Sequence, residues 1–248
     1  RVDNYVWKEL SKLTAGDKLA YDVAPFDLKE IKKQEDWLVA GWLMGDGWCS
    51  EAGWGACFGS HETYAADIVI NHCNKLHASL PVKGQGRVAP ISTYVQKNGV
   101  INWQTSKESF KKHYADKFGF TQTLGKHKKL SEKILLSSTN ELCSFLSGLF
   151  SADGTVGDFK NKYYVSLSSA SLQLLETVSL ALGSLGIKSR IVFVQDKRKE
   201  GKYQGALNIF GYNQLIKFSK MIGFDLCLQK QEKLLKCINK VIKKDPRD

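Results

Sequence analysis

The chain has 248 residues, and 36 Lys and Arg against 25 Asp and Glu leave a net charge of +11. With 43% hydrophobic and 11% aromatic residues, the composition supports a packed core. It excludes wholesale disorder and collagen, coiled-coil or small disulfide scaffolds. No apolar run approaches the roughly 18 residues of a membrane span, and no N-terminal stretch has the pattern of a signal peptide.

Residues 1–24 read as strand-like pieces with a turn at Ala15-Gly16-Asp17, and Pro25 to Asp36 reads as a connector. Trp37 to Met44 is strongly apolar and ends at Gly45-Asp46-Gly47. A strand-like stretch to Phe58 and a helix from Tyr64 to Leu76 follow. A basic, β-rich hairpin spans Val82 to Gln104 with its turn at Asn98-Gly99. A short helix from Ser106 to Lys117 then reaches Gly119-Phe120 and, ten residues on, Leu130. The same textures return. Leu142 to Phe150 is apolar and ends at Ala152-Asp153-Gly154. A strand pair runs through Tyr163 to Leu167, and a helix runs from Leu172 to Leu185 with Ser171 as its cap. A second basic hairpin covers Lys188 to Phe210, followed by a helix from Asn213 to Met221, Gly223-Phe224 and Leu234. A final helix closes the chain from about Glu232 to Lys243.

Asp46 and Asp153 lie 107 residues apart, and Phe120 and Phe224 lie 104 apart. An ordered series of such correspondences marks an internal duplication. The expected organisation is a short leading segment over 1–30, a first repeat over 31–136 and a second over 137–248. Residues 1–36 hold seven basic and eight acidic side chains, so the positive charge belongs to the repeats. A basic excess of this size favours a polyanion partner, most simply nucleic acid. The six cysteines form no CxxC pair, and Cys57, His61, His72 and Cys73 lack a compact structural-zinc spacing. Free, mostly buried thiols in a reducing compartment are expected.

The two apolar helices each carry a small-residue face: Ala40, Gly41 and Gly45 in one, Ser147, Gly148 and Ala152 in the other. Small residues let helix backbones approach closely. If these helices pack as partners, Asp46 and Asp153 meet at one end of the contact. Two adjoining carboxylates repel unless a cation lies between them. Hard divalent cations take oxygen ligands, including phosphate oxygens, and activate water for hydrolysis. Either Asp-Gly alone is also compatible with a simple helix end or turn.

The segments Val39-Ala-Gly-Trp-Leu-Met-Gly-Asp-Gly47 and Leu146-Ser-Gly-Leu-Phe-Ser-Ala-Asp-Gly154 resemble the two signature helices of the LAGLIDADG homing endonucleases in their single-chain, two-repeat form. The resemblance covers roughly residues 31–245. It implies an α+β fold of two pseudo-symmetric αββαββα repeats, packed through the signature helices, with β hairpins forming a DNA-binding saddle. It implies metal-dependent double-strand breaks in a long duplex DNA target, with short 3′ overhangs. Asp46 and Asp153 are the implied catalytic and metal-binding carboxylates, and Gly45 and Ala152 complete the metal-site set. Mg²⁺ is the implied cofactor, with Mn²⁺ or Ca²⁺ able to occupy the same sites. A monomer acting inside the cell, at DNA, is expected. The family also places a lysine near each site; Lys126 and Lys230 match best by repeat position, with Lys128, Lys129 and Lys233 competing. A stretch from Trp7 to Ala20 resembles intein splicing domains before an inserted endonuclease, so a larger intein precursor is a possible context.

A two-stranded β ribbon fits the major groove. The candidate DNA contacts in the first hairpin are Lys83, Gln85, Arg87, Gln96, Lys97, Asn102 and Gln104. The second offers Lys188, Arg190, Gln195, Lys197, Arg198, Lys202, Gln204 and Asn208. Arg and Gln suit base edges, and loop lysines suit phosphates. Trp42, Phe150, Trp48 and Trp54 are expected to pack. The same scaffold also admits a cleavage-inactive DNA binder or an RNA-splicing maturase.

Overall fold

The computed structural model describes residues 10–12, 14, 30–50, 53–81, 91–120, 125–159, 162–195 and 203–242. The expected leading β segment falls largely outside these residues. Its described part, Leu10–Lys12, is one 3₁₀ turn rather than a strand.

The first repeat contains α1 (Glu35–Asp46), β1 (Gly47–Cys49), β2 (Trp54–Phe58), α2 (Thr63–Ser79), β3 (Ile91–Val95), β4 (Ile101–Thr105), α3 (Glu108–Phe118) and α4 (Glu132–Leu135). The second contains α5 (Thr139–Asp153), β5 (Gly154–Phe159), β6 (Lys162–Ser169), α6 (Leu172–Ser184), β7 (Arg190–Gln195), β8 (Tyr203–Phe210), α7 (Tyr212–Met221) and α8 (Leu228–Ile242). Each repeat builds an antiparallel four-stranded sheet, in the orders β1-β2-β4-β3 and β5-β6-β8-β7. The shared strand order shows the pseudo-symmetry. It also makes β1 and β5, which leave the central helices directly, one edge of their sheets. The last helix begins at Leu228, earlier than expected, because it opens immediately after the turn at Phe224–Cys227.

Helices α1 and α5 are buried along nearly their whole length. Their contact is backbone against backbone. A Cβ built on Gly41 would lie 1.9 Å from the Phe145 carbonyl oxygen, and one built on Gly148 would lie 1.9 Å from that of Leu38. Each glycine is therefore the socket for the other helix. Trp42 stacks on Phe58 at 5.7 Å, while Phe150 meets Phe218 edge-on at 4.9 Å. These rings bury the outward sides of the helices against their own repeats. Ser147 and Ser151 do not serve the helix contact. Their hydroxyls accept the Asp225 and Leu226 backbone N–H groups at 3.1 Å, fixing the turn between α7 and α8.

The α5 start has a capping box, Ser138 with Glu141, and Ser171 caps α6 by accepting from Leu174 N–H. The chain entering α1 is tied to the second repeat. The Gln34 N–H donates to Ser144 Oγ at 2.9 Å, and Lys33 Nζ lies 2.9 Å from the Asp225 carboxylate. At the start of α1, His72 reaches Glu35 at 3.0 Å and Asp36 at 3.2 Å, and Lys117 pairs with Asp36. Burial opposes ionisation of Asp36, but the His72 and Lys117 hydrogen bonds pull its carboxyl down to about 2. His72 is thus a structural partner. His113 is half-buried, its ring packing near Tyr114 and Phe118. All six cysteines are free. No helix among the described residues is long and apolar enough to cross a membrane.

The backbone contact makes a sharp prediction. Gly41→Ala or Gly148→Ala should destabilise the protein by about 3 kcal/mol, because no flexible atom can yield. Gly183→Ala, where a Cβ would meet nothing within 4 Å, should be neutral or stabilising by about 0.5 kcal/mol. Thermal or urea unfolding of the three variants checks both statements.

Candidate active site

Asp46 and Asp153 are the last residues of α1 and α5. The glycine after each is required by the turn from helix into strand. A Cβ on Gly47 would lie 2.3 Å from the Leu43 carbonyl oxygen, and one on Gly154 would lie 2.4 Å from that of Phe150. Two residues before the exit glycine, a Cβ on Gly45 would lie 2.7 Å from Ala152 Cβ and 3.3 Å from Asp153 Oδ2. The close helix contact therefore brings the two carboxylates to one place.

Their electrostatics record the crowding. Asp46 is half-buried, and desolvation, then the Asp153 and Glu62 charges, push its pKa up to about 6. Asp153 keeps contact with solvent at the rim, yet desolvation by the surrounding protein raises its pKa against the pull of Lys128 and Lys230. Two lysines face the pair. Lys128 Nζ donates to the carbonyls of Met44 at 2.6 Å and Gly45 at 2.9 Å. Lys230 Nζ donates to those of Ser151 at 2.6 Å and Ala152 at 2.8 Å. Each ammonium thus occupies the carbonyl-bearing, negative end of one central helix. Desolvation lowers both lysine pKa values, and the two aspartates oppose that shift.

The structure brings Lys128, and not Lys126, to the aspartates. Lys126 is exposed on the 3₁₀ turn Gly125–His127. Equal repeat spacing points to Lys126, but Lys128 follows Asp46 by 82 residues while Lys230 follows Asp153 by 77. The segment's register is set by the other repeat: Ser171 Oγ donates to the Lys128 carbonyl at 2.5 Å, and the Leu130 N–H donates to Thr177 Oγ1 at 3.1 Å.

Strand alternation sets the sheet face that carries the site. Trp54, Ala56 and Phe58 are buried in the core, so Gly55 and Cys57 occupy the opposite, outer face. Extending the β1 register from Gly47↔Ala56 places Asp46 opposite Cys57. Burial, then the Asp46 charge, raises the Cys57 thiol's pKa. Asn102 and Gln104 share this face in the first repeat, as do Arg190 and Asn208 in the second. Asn102 and Asn208 are only 8% exposed, and Asn102 Oδ1 already accepts the Cys57 thiol at 2.9 Å. Gln104 is half-buried; Gln96, Lys97, Lys188 and Arg190 are exposed. Lys83, Gln85, Arg87, Lys197, Arg198 and Lys202 lie outside the described residues, as do the side chains of Gln195 and Gln204.

Sequence reasoning missed the aromatic side of this face. Trp48, expected to pack, is 40% exposed there, lying across Gly55, whose Cβ would meet the indole at 2.5 Å. It also missed Glu62, whose charge bears on Asp46 from the start of α2.

Residues 140–223 match the family described as a LAGLIDADG-like domain. Solved structures of the homing endonuclease I-DmoI superpose on the chain. Its complex with DNA and Ca gives a TM-score of 0.52 at 19% identity, covering 76% of this chain and 88% of that chain. Its complex with DNA and Mn gives 0.50 at 20% identity, covering 76% and 95%. The chain has the LAGLIDADG homing-endonuclease fold. In that fold α1 and α5 are the paired central helices, and Asp46 and Asp153 are their last residues.

The donor set of this site fits a hard divalent cation. It offers two carboxylates and neighbouring backbone carbonyls, all oxygen. Among the described residues no cluster of three or more His, Cys, Asp or Glu side chains is arranged for a metal. The carboxylate crowding predicts a measurable cost without metal. Because Asp46 titrates near 6 when folded and near 3.8 otherwise, the folded chain holds the extra proton between these values. Stability therefore falls as pH rises through that window. Asp46→Asn should raise metal-free stability at pH 7.5 by about 1 kcal/mol, after allowing for solvent screening. The gain should vanish near pH 4. Thermal melts in EDTA at both pH values test it.

Proposed function

We propose that this chain is a site-specific endonuclease that hydrolyses both strands of a duplex DNA target with divalent metal. The observation that carries the reading is the pair of helix-terminal aspartates, each beside a lysine, on the outer face of two sheets in a chain of net charge +11. Asp46 and Asp153 would hold Mg²⁺, for which Mn²⁺ or Ca²⁺ could substitute. The carbonyls of Gly45 and Ala152 keep a second lone pair beside their lysine hydrogen bonds and could join the oxygen set. A bound divalent ion lowers the pKa of water and neutralises phosphate charge. Lys128 and Lys230 add positive charge where the phosphate becomes more negative. Each lysine is positioned by the last-turn carbonyls of a central helix, so neither side chain must be ordered during the reaction.

The two repeats supply one carboxylate and one lysine each, so a single chain contains both halves of the site. Two adjoining centres suit one cut in each strand, a few nucleotides apart, giving short 3′ overhangs. The outer sheet faces then lie along the duplex on either side, which implies a long target. Gln96, Lys97, Gln104, Lys188 and Arg190 are the described contacts of choice. Both aspartates are present and paired, which favours cleavage over the binding-only and maturase readings. An intracellular setting follows from a DNA substrate. The resemblance of residues 7–20 to a splicing domain supports an intein origin on sequence alone.

Cleavage of a randomised duplex library with Mg²⁺ tests the reading. The unmodified protein should select and cut a defined target, and EDTA should abolish cutting. Asp46→Asn and Asp153→Asn should each reduce double-strand cleavage at least about 100-fold while duplex binding persists. Sequence-specific cleavage surviving both substitutions would falsify the site. Lys128→Met should lower the rate about 10- to 100-fold, whereas Lys126→Met should leave it within about twofold, which separates the two lysines.

A further inference from the structure

The outer face of the second sheet carries an apolar island. Tyr164 lies flat across Gly157, where a Cβ would come within 2.1 Å of the ring carbon Cζ. Phe210 pairs with Tyr164 in the ladder, and their ring centroids are 5.6 Å apart at 44°. Phe210 is 47% exposed. Alternation places both rings on the face opposite Val156, Val165 and Ile209, which are buried. That is the face of Asp153, and its other members include Ser166, Asn208 and Arg190.

The first repeat has no ring at these ladder positions; its exposed Trp48 lies elsewhere on the face, across Gly55. The ladder position of Gly157 and Tyr164 corresponds to Ser50 and Gly53, where the β1–β2 hairpin is already turning. The position of Phe210 corresponds to Ser106, beyond the end of β4. The second hairpin runs three pairs further, to Phe159↔Lys162, and the rings sit on that extension.

We infer that Tyr164 and Phe210 form an aromatic platform that reads thymine in the half of the target under the second repeat. The inference rests on the duplex-endonuclease reading above. Polar side chains read hydrogen-bonding base edges, but only thymine among the four bases presents a methyl group in the major groove, and apolar side chains are its partners. Gly157 lets the tyrosine ring lie low, and Phe210 stands beside it with nearly half its surface uncovered. Gly157 follows Asp153 by four residues, about 13 Å of strand. At roughly 3.4 Å per base pair, the thymine lies about three to six pairs from the scissile phosphate. The first repeat has no ring at the matching ladder positions, so this thymine requirement belongs to one half of the target.

The experiment starts from the target recovered by selection with the unmodified protein and Mg²⁺. Thymines in the expected window are replaced one at a time by deoxyuridine, which lacks only the methyl group. Affinity is measured with Ca²⁺ and cleavage with Mg²⁺. One position should lose about fourfold in affinity, the worth of one buried methyl. Phe210→Ser should bind thymine and deoxyuridine targets equally, while Phe210→Leu should keep the preference. Selection with Phe210→Ser should relax one half of the target only. If the protein binds and cuts its target but ignores every deoxyuridine replacement, the platform is overturned while the nuclease reading stands. If duplex DNA is neither bound nor cut, the nuclease reading fails and the inference fails with it.

Discussion

The contact between α1 and α5 at Gly41 and Gly148 is the constraint on which the rest of the molecule depends. Two helix backbones meet where any side chain would strike a carbonyl oxygen. That proximity gives little freedom to slide, because each glycine is the socket for the other helix. Large rings on the remaining sides, among them Trp42 and Phe150, hold the helices in their repeats. The two cores are thus joined along one line, and whatever ends the helices must share the same small volume.

What ends them is acidic. Each helix also points its carbonyl-bearing, partially negative end toward that volume. Burial of the two carboxylates beside these helix ends raises both their pKa values, and for Asp46 the Asp153 and Glu62 charges add to the desolvation. Lys128 and Lys230 offset part of it by bonding the last-turn carbonyls. The remainder is a standing preference for additional positive charge. Divalent metal at the proposed site would relieve that cost.

The duplication is exact in strand order but not in chemistry. The start of α2 carries Glu62, and the start of α6 carries Ser171, whose hydroxyl holds the Lys128 backbone. Trp48 lies two residues past Asp46, whereas Thr155 stands at the matching place past Asp153. The β5–β6 hairpin is longer than β1–β2 and carries its own aromatic pair. Such differences give the two halves of the outer surface distinct chemistry on one scaffold.

The sequence by itself determined the duplication, the order of elements and the two aspartates. These are properties of local pattern: apolar runs of helical length, Asp-Gly at their ends, hairpin turns and caps such as Ser171. They persist because the same backbone geometry needs the same residue types in both repeats. Which lysine lies beside the end of the first central helix is set by packing between the repeats. Its choice depends on a loop whose register is fixed by Ser171 and Thr177 in the other repeat, and no spacing within one repeat encodes that. Only the tertiary structure decided that Asn102 and Asn208 are buried while Trp48 and Phe210 are uncovered. Alternation assigns a residue to a face, but what covers that face comes from chain far away in sequence.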